Sequence, residues 1–78
     1  METQWGHERF WTTFVRDNKA GYAGLRLHRE RFGKTSVAAE VLYWDASGNF
    51  AVETFDGDVP AEIIEALITE TRQQVRVR

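Results

Sequence analysis

Two short alternating segments flank Asp45-Ala46-Ser47-Gly48-Asn49, and no other feature of the chain constrains its fold as much. Residues 36–44 set Val37, Ala39, Val41 and Tyr43 against Ala38, Glu40, Leu42 and Trp44. Residues 50–55 set Phe50, Val52 and Thr54 against Ala51, Glu53 and Phe55. A period of two is what a half-buried strand needs, because successive side chains leave opposite faces of the sheet. The residues between the segments are turn formers, and Gly48 can take the positive φ that closes such a loop. The spacing therefore predicts a β-hairpin, which needs a further sheet neighbour and a cover for its apolar face.

Residues 22–32 alternate Ala23, Leu25 and Leu27 with Gly24, Arg26, His28 and Glu30, giving a third strand that turns through Gly33-Lys34. Residues 7–19 carry Phe10, Trp11, Phe14 and Val15 at i, i+1, i+4 and i+5, the stripe of an amphipathic helix, with stop chemistry at Asn18 and Gly21. A second helix is expected over residues 59–73. Asp58 would be its N-cap, Pro60 would sit in its first turn, and Ile63, Ile64, Leu67 and Ile68 would form its apolar stripe. Residues 74–78 read as a frayed tail. The expected order is α-β-β-β-α in one domain over residues 1–78: a two-layer α+β sandwich, with a three-stranded antiparallel sheet and two helices on one face.

Composition narrows the function more than it names one. A chain of 78 residues builds a single core, and its ten aromatic residues are an economical way to fill it. Without Cys there are no disulfides, thiolate nucleophiles or sulfur-ligated metals. Apolar runs such as Val41-Leu42-Tyr43-Trp44 are too short to cross a membrane, and the start of the chain shows no secretory or transit pattern. A cytoplasmic protein that does not use a membrane is expected.

The search for catalytic chemistry yields little. Gly33-Lys34-Thr35 resembles the end of a phosphate-binding loop, but His28 stands where that loop needs Gly, and the triplet joins two strands. Asp45 to Asp56 has a faint calcium-loop spacing, with Phe50 where the sharp turn needs Gly. His7 and His28 fall on separate elements, and Asp56 and Asp58 read as turn and cap residues. No catalytic residue, metal ligand, cofactor or small-molecule substrate is implied, so an enzyme is not expected.

Charge is divided along the chain. Up to Lys34, seven basic residues face four acidic ones, whereas Thr35–Thr71 holds eight acidic residues and no basic one. Arg26, Arg29, Arg31 and Lys34 make a basic strip on the first predicted strand, split between its two faces by the alternation. The element order resembles that of double-stranded RNA-binding domains. That family places phosphate-gripping lysines at the start of its last helix, where this chain has Asp58-Val59-Pro60-Ala61-Glu62, which would repel phosphate.

The leading expectation is a small protein-interaction module that binds another protein or a second copy of itself. It would use the sheet face away from the helices, around Leu42, Trp44 and Phe55, with pairing along an edge strand as another route. The alternatives are nucleic-acid binding through Arg26, Arg29, Arg31 and Lys34, and an acidic inhibitor that mimics nucleic acid.

Overall fold

A computed structural model describes residues 1–55 and 57–75. The described residues form five strands and one helix: β1 (Glu2–Trp5), β2 (Glu8–Asp17), β3 (Tyr22–Arg31), β4 (Lys34–Trp44), β5 (Asn49–Thr54) and α1 (Ala61–Gln74). The strands make one antiparallel sheet in chain order, each paired with its sequence neighbours. This corrects the expected α-β-β-β-α sandwich. The sheet has five strands rather than three, there is one helix rather than two, and the likeness to double-stranded RNA-binding domains goes with the missing first helix.

The segment read as a helix over residues 7–19 is β2, and the reason lies in the spacing. Phe10/Phe14 and Trp11/Val15 are each four apart, and four residues bring side chains to one face in a helix and in a strand alike. In β2, Phe10, Thr12 and Phe14 pair with Arg29, Leu27 and Leu25 and share the helix-covered face, while Trp11, Thr13 and Val15 share the other. Large residues on both faces blurred the alternation. The β-branched Thr12, Thr13 and Val15 then favour the pleated form. β1 has only four residues and little apolar pattern, and its pairing with β2 defines it.

The other expected elements stand close to where the pattern placed them, including the hairpin, with Gly48 at φ 70°. A bulge shifts the β3–β4 register, so Leu27 pairs with Ala39 and His28 with Val37. That extra residue moves Val37 off the face it was expected to share with Val41. α1 starts later than Asp58: Pro60 is its N-cap residue, no side chain among the described residues caps it, and the Pro60 carbonyl accepts the first helix bonds from Ile63 and Ile64. Of the expected frayed tail, Gln74 ends α1 and Val75 is buried, and residues 76–78 lie outside the described residues, as does the turn expected at Asp56.

The core lies between α1 and the middle of the sheet. Ile63 and Leu67 pack with Phe10, Leu25, Leu27, Ala39 and Val41, and all of them are almost solvent-free. Glu70 ties the helix to the sheet edge by accepting from Thr12 Oγ1 at 2.6 Å and pairing with the Met1 ammonium. Burial opposes ionisation of Glu70, but the hydrogen bonds from that ammonium and from Thr12, with the ammonium charge, hold its pKa below the ordinary value. The helix contacts chiefly β3 and β4, and it reaches β5 through the Arg72 guanidinium, which lies 4.9 Å from the Phe50 ring.

Candidate interaction site

The sheet face away from α1 holds Arg9, Trp11, Thr13, Tyr22, Arg26, His28, Glu40, Leu42 and Trp44, assigned by their cross-strand partners. These groups mostly satisfy one another. Trp11 stacks on His28 with ring centroids 5.5 Å apart, and the Arg9 guanidinium lies 5.0 Å from the Trp11 ring. His28 Nε2 and Thr13 Oγ1 are hydrogen-bonded at 2.8 Å. Burial first, and then the Arg26 charge, push the His28 pKa below 6.5. Arg26 donates to Glu40 at 2.6 Å, and Tyr22 packs on Trp44.

The three residues expected to make an interaction patch do not converge. Leu42 is 9% exposed, and Trp44 is half-buried beside Tyr22. Phe55 follows β5 and donates its backbone N–H to Ala38, six positions before Trp44 on β4. That separation is roughly 20 Å at strand spacing.

The basic strip is also divided. Arg26 is committed to Glu40 on the open face. Arg29, 1% exposed, reaches into the helix side, where it donates to the Asp58 carbonyl, lies 3.1 Å from Glu8 and covers the Phe10 ring. Its buried charge clasps the segment before α1 to the sheet. Arg31 and Lys34 are the two residues of the strip that stay exposed, and Arg31 shares Glu8 at 2.6 Å.

Between them is a residue that the alternation did not single out. The turn expected at Gly33-Lys34 falls one residue earlier: Arg31 and Lys34 pair across a two-residue loop, Phe32-Gly33, with φ of 51° and 78°, so Phe32 lies in the turn and not in the strand. Positive φ at both positions is the type I′ pattern, which suits the twist of a hairpin and favours Asn, Asp and Gly. Phe at the first position costs about 1–2 kcal/mol, because its Cβ crowds the following carbonyl. Its side chain is also 86% exposed, so packing returns nothing for that strain. The signal was present in the sequence as a bulky ring in a two-residue turn.

The β1–β2 turn ends at the same edge of the molecule. Trp5 pairs with Glu8, Glu8 with Arg31 and Arg31 with Lys34, so these four form one rank across β1 to β4. Trp5 is 43% exposed and lies two strand spacings from Arg31, roughly 10 Å. Arg29, Arg31, Phe32, Lys34, Thr35 and Ser36 enclose an open hollow of about 420 Å³. Among the described residues no group of three or more His, Asp or Glu could hold a metal, and no helix is long and apolar enough to cross a membrane. The chain matches no protein-family model, no curated protein and no solved structure.

Proposed function

We propose that the chain is a non-enzymatic protein-interaction module that docks through the sheet end bearing Phe32. The observation that carries this reading is the exposed Phe32 ring held at φ 51°. A backbone position kept in a costly conformation by a residue whose side chain is almost wholly exposed points to selection for something outside the molecule. Aromatic anchors inserted into a pocket, with charges at the rim, carry most of the energy of many interfaces. Phe32 is the anchor, Trp5 extends the apolar contact, and Arg31 and Lys34 suit a partner pocket with an acidic border.

Phe32→Asn separates this role from folding. Asn tolerates positive φ, so the variant should be more stable by about 1 kcal/mol, raising Tm by roughly 4–8 °C. Affinity capture with the wild-type and variant chains, alongside thermal melting, is the test. The expected result is a partner held by the wild type and lost from the more stable variant. Equal capture by both, or a lower Tm for the variant, would overturn the reading.

The sequence Arg31-Phe32-Gly33-Lys34 also favours a second reading, since a ring between two cations is the chemistry of single-strand stacking. Gel-shift titration with single-stranded RNA and DNA at low salt decides this. Binding that weakens steeply with salt and is lost in Phe32→Asn would put nucleic acid in the place of the protein partner.

A further inference from the structure

We infer that β5 is a dimerisation edge, on which a second copy of the chain adds its own β5 in antiparallel pairing about a two-fold axis at Val52. The outward-facing groups follow from the ladder. Phe55 donates its N–H to Ala38 of β4, and in an antiparallel pair the direction of these groups alternates. Asn49, Ala51 and Glu53 therefore turn their backbone groups toward β4, while Phe50, Val52 and Thr54 present theirs to the outside.

Exposed edges are normally defended by Lys, Pro, a bulge or short length. β5 has none of the first three: its sequence is Asn-Phe-Ala-Val-Glu-Thr, and the sheet's register shift lies between β3 and β4. Val52 is 46% exposed on the helix-covered face, next to half-buried Phe50. The opposite edge differs. β1 is four residues long and polar at Glu2, Thr3 and Gln4, and the Met1 ammonium just before it is held by Glu70. One open edge and one blunted edge give assembly that closes at two copies and does not run on as a fibre.

The pairing is self-complementary, which identifies the second copy as the occupant. With Val52 on the axis, Phe50 faces Thr54 of the second copy and exchanges backbone hydrogen bonds with it. Val52 does so with Val52, and Thr54 with Phe50. Glu53, the strand's single charge, falls opposite Ala51 of the second copy, so no like charges meet. Moving the axis to Ala51 leaves Thr54 without a β5 partner. A six-residue strand pair with a narrow apolar flank is small for an interface, so the dimer should form at micromolar and higher concentration.

Sedimentation equilibrium on the full chain from about 1 µM to 1 mM, with Val52→Pro and Val52→Lys beside the wild type, tests this. Pro at position 52 removes an outward N–H and leaves the β4 ladder intact. Circular dichroism confirms that each variant is folded, and Val52→Lys serves if Pro disturbs the strand. Concentration-dependent dimerisation is expected for the wild type and for Phe32→Asn, with monomers for both Val52 variants. Amide exchange should slow with concentration at Phe50, Val52 and Thr54, and be slow at any concentration at Ala51 and Glu53. A wild-type monomer at 1 mM, or a folded Val52→Pro that still dimerises, would overturn the inference. Dimer loss in Phe32→Asn would also overturn it and would assign the self-contact to the Phe32 end.

Discussion

Gly24 shows how a single missing carbon sets the shape of the sheet. It pairs with Leu42, and a Cβ built on it would stand 2.0 Å from the Val41 carbonyl oxygen and 2.8 Å from the Leu42 Cα. Both are backbone atoms, so no rotamer change relieves the clash. Gly24→Ala should destabilise the fold by about 3 kcal/mol, a loss of 10 °C or more in Tm, read by thermal denaturation. Two titrating residues give pH its sign. His28 has its folded pKa depressed below 6.5, so the unfolded chain takes up its proton first, and stability declines as pH falls below that value. Glu70 is depressed below 4.5, so its contribution is present above that pH and is lost as pH falls through the folded value. Denaturant melts between pH 8 and 3 should show both declines. His28→Gln should flatten the first and Glu70→Gln the second.

At the scale of elements, the hairpins and α1 hold together through groups that sequence periodicity does not report. Arg29 looks like one more exposed cation on an alternating strand, yet it sits under the segment that leads into α1 and pairs with Glu8 of β2. Removing it leaves the Asp58 carbonyl without its donor, Glu8 with Arg31 as its remaining cation, and a void under the segment before α1. Arg29→Ala should cost about 2–3 kcal/mol in urea unfolding, chiefly from the unsatisfied Asp58 carbonyl and the lost packing on Phe10. Arg29→Lys should restore little of that, since an ammonium cannot span both acceptors in one plane. The hairpin at Asp45–Asn49 was legible because turn residues and alternation agree there. β2 was not, since its four-residue spacing fits either period and the choice lies with β3, which offers Leu25, Leu27 and Arg29 as partners.

The described residues span 39 × 21 × 17 Å, long in proportion to the one helix among them. α1 covers the middle of one face, which leaves Phe32 and Trp5 exposed at one end and, among the described residues, the outer edge of β5 without a strand partner. The proposed docking through that end and the inferred dimerisation along β5 would use different surfaces, so a dimer would present two Phe32 anchors. Because dimerisation stabilises the folded state by mass action, the wild-type Tm should rise with protein concentration and the Val52→Pro Tm should not.

The sequence by itself determined the alternating strands from Tyr22 to Thr54, the turn at Gly48, the apolar stripe of α1 and the split of the basic strip between two faces, because each follows from local period and turn chemistry. Tertiary structure decided the rest. It made residues 8–17 a strand, because a partner strand was available for hydrogen bonding, and it made β1 a strand by pairing. It buried Arg29, which is stable only where Glu8, the Phe10 ring and the Asp58 carbonyl converge from distant parts of the chain. It set Phe55 apart from Trp44 through the register of β4 and β5, and it left Phe32 uncovered. Exposure depends on what packs above a residue, and in this chain α1 packs over the centre of the sheet.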